Sequence, residues 1–275
     1  MQSPSSTAST PRAAAPRPYG PIALVTGASD GIGRAFAVEL ARRGHDLILV
    51  ARRQPVLEAL AAELGARHGV HVDVLAADLG VAGDVEAVIE ATAGRDIGLL
   101  VAAAGFGTSG LLVDQPVQPE LDMVDVNCRA VVALVHALAR RFVARGGGGI
   151  VLLGSLVGFQ GVPRAAAYAA SKAFIQTFAE GLRPELRPHG VDVISVAPGP
   201  VASGFAARAN MVIRGAPGPE AIPAEVLAAL GRRTTVRPGF QSKLLEALFT
   251  GLPRPARTLI MTRVMKSMAR GAPAE

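Results

Sequence analysis

Tyr168 and Lys172 stand four residues apart in a 275-residue chain that holds only two tyrosines and three lysines. Positions i and i+4 share one face of an α-helix, so this spacing sets a phenol beside an ammonium. A fixed cation favours phenolate and draws a tyrosine pKa down from about 10 toward working pH. Such a phenol can give or take a proton during a reaction. A second constellation, Thr26-Gly27-Ala28-Ser29-Asp30-Gly31-Ile32-Gly33, follows an apolar run and precedes a helical pattern. Glycines there let backbone amides at a helix N-terminus approach a pyrophosphate. The spacing is Gly-x-x-x-Gly-x-Gly rather than the commoner Gly-x-Gly-x-x-Gly. Its place between the first strand and the first helix makes Gly27, Ser29, Asp30, Gly31, Ile32 and Gly33 a candidate dinucleotide turn.

A second apolar run, residues 45–50, leads into Ala51-Arg52-Arg53 with no carboxylate. An acidic side chain at that point binds a ribose 2′-hydroxyl, whereas an arginine fork suits a 2′-phosphate. Arg52 first, and Arg53 second, therefore point to NADP(H). His45, His68, His71, His136 and His189 show no metal-ligand spacing, and Cys128 is the single cysteine. No metal is expected.

Positioning these groups requires a scaffold. Short apolar runs alternate with longer helical patterns, which predicts an α/β fold: a Rossmann-type, doubly wound parallel sheet of about seven strands with helices on both faces. Strands are expected at 21–25, 45–50, 70–76, 98–103, 150–153, 191–196 and near 234–236. Helices are expected at 31–43, 55–65, 84–93, 119–145, 168–186 and 224–230. Val124, Cys128, Val131, Val135, Leu138 and Phe142 give the long helix an apolar stripe, and the glycines at 146–149 stop it. With 50% hydrophobic residues, the chain can bury one substantial core as a single domain.

The outline is a disordered Ser/Thr/Pro/Ala-rich tail at 1–19, a cofactor-binding catalytic domain at 20–240 and a basic helical tail at 241–275. Nine basic residues and two acids fall between Arg232 and Glu275, so the net charge of +6 belongs to that end. Arginine alternates there with aliphatics and only two aromatics, Phe240 and Phe249, which argues against nucleic acid. A solvated basic face is the simpler reading. A weak peripheral contact with an anionic membrane through residues 241–270, broken by Pro253 and Pro255, is the other. No signal-peptide core and no bilayer-length apolar run occurs, and the lone Cys128 allows no intrachain disulfide. A cytoplasmic location is expected.

With those pieces in order, residues 20 to about 205 resemble the short-chain dehydrogenase/reductase family. The resemblance rests on the glycine turn, Asp78 after the third strand, Ala104-Gly105 after the fourth, Asn127, Ser155, Tyr168/Lys172 and Pro198-Gly199. The local wording at 104–107 and 198–200 resembles a bacterial branch related to steroid and long-chain acyl ketone reductases. The resemblance implies that Tyr168 exchanges a proton with the substrate oxygen and that Lys172 lowers its pKa and holds the nicotinamide ribose. It implies that Ser155 hydrogen-bonds the substrate and that Asn127 anchors a water leading from Lys172 to solvent. Asp78, Leu79, Ala104, Gly105, Pro198, Gly199, Val201 and Ser203 are then further cofactor contacts.

Two departures stand out. Ala102-Ala103 replaces the family's usual pair of asparagines, at a cost of about 1 kcal/mol for each lost hydrogen bond, and Ser203 stands where a threonine is usual. Residues 200–223, with Val201, Phe205, Met211, Val212 and Ile213, form an expected lid over a small-molecule apolar carbonyl or alcohol substrate, an acyl chain, terpenoid or steroid rather than a sugar. A 3-oxoacyl thioester reductase, with Arg208 and Arg214 facing an acidic carrier, is the nearest alternative. A non-catalytic NADP(H)-binding regulator is the alternative of another class. The resemblance also implies a homodimer or homotetramer.

Overall fold

Strands rich in Val, Ile and Leu without polar alternation belong in a sheet covered on both faces. The chain builds such a sheet from β1 (Ile22–Thr26), β2 (Asp46–Ala51), β3 (Val72–Ala76), β4 (Ile97–Ala102), β5 (Gly148–Leu153), β6 (Val191–Val196) and β7 (Thr235–Val236). All neighbours pair in parallel, in the order β3-β2-β1-β4-β5-β6-β7. The order reverses between β1 and β4, and ligand crevices of open α/β sheets form outside the carboxyl ends of strands at such a point. This computed structural model describes residues 19–209, 211, 215–239, 242–244, 248 and 251–268. Residues 1–18 of the expected tail, and Val212, Ile213, Arg214, Phe249 and Arg270, lie outside them.

Helices α1 (Gly31–Arg42), α2 (Gln54–His68) and α8 (Ile222–Ala229) pack on one face of the sheet. Helices α3 (Ala82–Ala91), α5 (Ala130–Arg145) and α6 (Ala166–Leu186) cover the other. A third apolar cluster stands beyond the carboxyl ends of the strands. It joins Ala165 and Ala169 at the start of α6 to Met211, and to Met261 and Met265 of α9 (Arg254–Met268). Two short helices, α4 (Val117–Val124) and α7 (Phe205–Arg208), flank the same end.

Three expectations need correcting. Ordered packing begins at Tyr19, not Gly20: its hydroxyl donates to Asp192 Oδ2 at 3.0 Å. The helix expected at 119–145 begins at Val117 and is interrupted at Asp125–Arg129 by one turn of π-helix, so α4 and α5 are separate elements. Of the glycines expected to stop it, Gly146 does so in a left-handed conformation (φ 84°), while Gly148 and Gly149 open β5. A side chain on Gly148 would run into the Phe142 ring, which lies flush on the strand.

Phe142 is fully buried against that strand. Phe142→Ala should lower the unfolding free energy by about 3–5 kcal/mol, read as a fall in the urea midpoint at unchanged m-value.

Candidate active site

The loops leaving β1 and β4 touch at the switch point. Gly27 has φ 66°, and a Cβ there would sit 2.7 Å from the Ala104 amide nitrogen. A side chain on Gly33 would strike the Gly27 carbonyl. Glycine at both positions keeps the first turn of α1 against β1 and its amides open to the cleft. Asp30 caps α1, accepting from Gly31 N at 2.7 Å with Oδ1 and from Gly204 N at 2.9 Å with Oδ2. Where asparagine side chains are missing at 102 and 103, Thr26 supplies a tie instead. Its Oγ1 accepts from Ala104 N at 3.1 Å, linking the ends of β1 and β4.

Arg52 and Arg53 both line the cleft, as do Asp78 and Leu79. Arg52 Nη1 stands 3.5 Å from Asp78 Oδ2, while Arg53 Nη2 reaches back to Ser29 Oγ at 3.1 Å. The two arginines thus flank the mouth at the carboxyl ends of β2 and β3. Ile32, Pro198, Gly199, Val201 and Ser203 line the same cavity, of about 890 Å³. The glycine cradle, which side chains would fill, and the arginines at the end of β2 fit an NADP(H) molecule.

Deeper in the cleft, Tyr168 lies in the first turn of α6 and Lys172 one turn later. The Lys172 ammonium is 5.8 Å from the Tyr168 ring centre, and Nζ donates to the Leu153 carbonyl at 2.8 Å. Ser155 follows β5 and its hydroxyl interacts with the Tyr168 phenol. The π turn brings Asn127 inward. Its Nδ2 donates to Phe106 O at 2.9 Å and to Ser171 Oγ at 3.0 Å, and its Oδ1 accepts from Phe106 N at 3.1 Å. The amide is thereby committed to the β4–α4 loop, leaving one Oδ1 lone pair for any water. A Cβ on Gly105 would come within 2.9 Å of Asn127 Oδ1 and 3.4 Å of Lys172 Nζ, so that position tolerates only glycine's bare backbone without a shift.

The electrostatics differ from the sequence expectation. Burial pushes the Tyr168 pKa up to about 12, against a smaller downward pull from the Ser155 hydroxyl. Burial also pushes Lys172 down to about 8. Spacing alone predicted a phenol acidified by its neighbour. In the protein as it stands, removal from water dominates both groups, opposed at Tyr168 by the Ser155 hydroxyl and at Lys172 by the Cys128 thiol.

The roof of the cleft includes residues that sequence reasoning missed. Ile260, Met261, Val264 and Met265 of α9 line the cavity beside Tyr168 and Phe205. The stretch expected as a basic tail thus turns a buried methionine face inward, while Arg254 and Arg263 stay exposed. The spacing of Met261, Val264 and Met265 is an amphipathic signal, masked in the sequence by its alternating arginines. Among the described residues, no helix is long and apolar enough to cross a membrane and no group of three or more His, Cys, Asp or Glu could hold a metal.

Residues 21–212 match the family model described as short chain dehydrogenase. The chain is 36% identical over 182 residues to a very-long-chain 3-oxoacyl-CoA reductase of Phaeosphaeria nodorum, covering 64% of this chain and 53% of that one. The chain therefore spans about half the length of the fungal reductases it matches. It is 37% identical over 181 residues to a 7beta-hydroxysteroid dehydrogenase of Clostridium sardiniense, covering 66% and 69%. Among solved structures, a short-chain dehydrogenase from Sphingobium yanoikuyae in complex with NADPH superposes with a TM-score of 0.77. Identity is 35%, and the match covers 93% of this chain and 98% of that one.

The lysine shift has a measurable consequence. Lys172 binds its proton less tightly folded, near 8, than unfolded, near 10.5, so the unfolded state holds more protons between those values. Stability of the cofactor-free protein should rise by up to about 3 kcal/mol as pH climbs through that window. Tyr168, raised to about 12, opposes the trend above pH 10. Urea unfolding from pH 7.5 to 10 should show the rise in the wild type and its loss in Lys172→Met.

Proposed function

Because the chain belongs to the short-chain dehydrogenase family, we propose that it is an NADP(H)-dependent oxidoreductase. It interconverts a ketone or aldehyde and an alcohol on a bulky apolar substrate. The observation that carries the substrate class is the wall of Met211, Met261 and Met265 with Phe205 beside the Tyr168 phenol. Methionine is flexible and polarizable, suited to an irregular hydrocarbon such as a sterol skeleton or a long acyl chain. When bound, NADPH supplies the hydride.

The chain's own residues supply placement and protons. The glycine turn and the N-terminus of α1 hold the diphosphate, with Ser203 and the backbone at 198–201 opposite, and Ala104-Gly105 lets the ribose pass close to backbone. Ser155 and Tyr168 hold the substrate oxygen between two hydroxyls, which fixes the carbonyl for reaction. Tyr168, protonated at neutral pH, gives its proton to that oxygen during reduction and takes it back during oxidation. Lys172, held by Leu153 O, lies close enough to stabilise the phenolate that this transfer leaves. Asn127 fixes the loop at Phe106 and, through Ser171, the turn of α6 between the tyrosine and the lysine.

A 3-oxoacyl thioester substrate is the second reading, favoured by the likeness to the fungal reductases. NADPH oxidation with a steroid ketone, a long-chain 3-oxoacyl-CoA and a small ketone separates the cases. A bulky carbonyl should be turned over well and the small ketone poorly. Tyr168→Phe should lower kcat by about 10²–10⁴-fold at unchanged NADPH affinity. Tight NADPH binding without turnover of any carbonyl would mean a cofactor-binding regulator and overturn this reading.

The same family reading proposes a homo-oligomer. The outer faces of α5 and α6 leave a shallow apolar groove lined by Val132, Val135, Ala139, Val143, Phe178 and Leu182. Sedimentation velocity should give a dimer or tetramer; a strict monomer at micromolar concentration would remove the proposal.

A further inference from the structure

Arg208 ends α7 and its side chain lines the cofactor cavity with Arg52, Arg53 and Asp78. Its guanidinium forms no salt bridge with a described carboxylate, yet its place is well determined. One end of its helix is tied down by Gly204 N, which donates to Asp30 Oδ2 at 2.9 Å. The other is held by Ser109 Oγ, which donates to the Ala209 carbonyl at 2.6 Å. Between them, the guanidinium carbon lies 4.3 Å from the Phe106 ring centre, a cation–π contact. The cation is therefore pointed at the cavity by three separate contacts.

What faces it there is more positive charge. The Arg208 pKa is lowered by desolvation first, then by the charge of Arg52 and to a lesser degree Arg53, with Asp78 pulling the other way. Three guanidinium groups line this one cavity, with Asp78 paired to Arg52, and a dianion bound among them would offset the repulsion of their charges. The charged neighbours of Arg208 stand at the ends of β2 and β3, where a 2′-substituent is read, rather than at the N-terminus of α1 where a diphosphate lies.

We propose that Arg208 is a ligand of the cofactor's 2′-phosphate carried by the lid, completing a three-arginine site with Arg52 and Arg53. The proposal rests on the NADP(H) reading above. It makes the lid itself a reader of the cofactor: α7 gains a partner when the 2′-phosphate is present and none when it is absent. NADPH therefore adds a tie to the segment at 203–209 beyond those to Asp30, Ser109 and Phe106, and NADH does not.

The test compares wild type and Arg208→Gln for binding of NADPH, NADH and 2′-AMP, with amide hydrogen exchange across residues 203–209. NADPH and 2′-AMP should each bind about ten- to hundredfold more weakly to the variant, the range of one lost charged hydrogen bond. NADH affinity should be unchanged, and NADPH should protect 203–209 in the wild type only. Equal loss for NADPH and NADH would make Arg208 a diphosphate contact and overturn the assignment, as would no loss for either. A wild type with no preference for NADPH over NADH would instead sink the cofactor reading on which the proposal stands. Equal thermal midpoints of the two cofactor-free proteins separate a lost ligand from a damaged fold.

Discussion

The interaction around which the cleft is arranged is the burial of the Lys172 ammonium against the Leu153 carbonyl. A cation removed from water is expensive unless its surroundings are polar and close. Several local choices follow from that constraint. Gly105 has no side chain because one would press on Lys172 Nζ and Asn127. Gly158 has none because its Cβ would lie 2.8 Å from the Lys172 carbonyl, where the loop after β5 crosses α6. Ser171 donates to Tyr168 O at 2.8 Å and accepts from Asn127, so the turn between phenol and ammonium is locked by its own side chain. Residues that look like unrelated small or polar positions along the chain thus converge on one buried charge.

Much of the fold was legible because buried parallel strands and amphipathic helices carry opposite sequence periods. The seven strands lie where the apolar runs predicted, with ends shifted by a residue or two, as at β1, read as 21–25 and found at Ile22–Thr26. What the pattern could not reveal was the π turn at Asp125–Arg129. One inserted residue does not disturb an apolar stripe enough to see, yet it is what rotates Asn127 into the site. The sign of the Tyr168 shift was also out of reach. Spacing reports the neighbouring cation, but desolvation depends on everything folded over the pair, and that is set by tertiary packing.

The C-terminal segment shows the same limit from the other side. Read as charge, it is a basic tail; packed, it closes the pocket with Met261 and Met265. The two descriptions meet on one helix: Met261 and Met265 are buried while Arg254 and Arg263 are exposed, although Arg254, seven residues before Met261, starts on the same side of the axis. Net charge therefore said little about where the segment packs, whereas its apolar side chains line the cavity. In the proposed reading, specificity belongs to the lid and α9, whose apolar cluster is joined to the start of α6.

The protonation states decide which form of the site meets a substrate at neutral pH. A phenol near 12 and an ammonium near 8 both keep their protons at neutral pH. A site so charged is ready to donate a proton to a substrate oxygen that gains negative charge, with no prior ionisation. The reverse reaction must first empty the phenol, which burial makes costly. A neighbouring cation lowers that cost only if the phenolate forms while Lys172 is still charged, below about pH 8. The desolvation that separates this site from the simple acidified pair implied by its spacing therefore keeps the phenol in its proton-donating form at neutral pH, the form that reduction of a carbonyl uses.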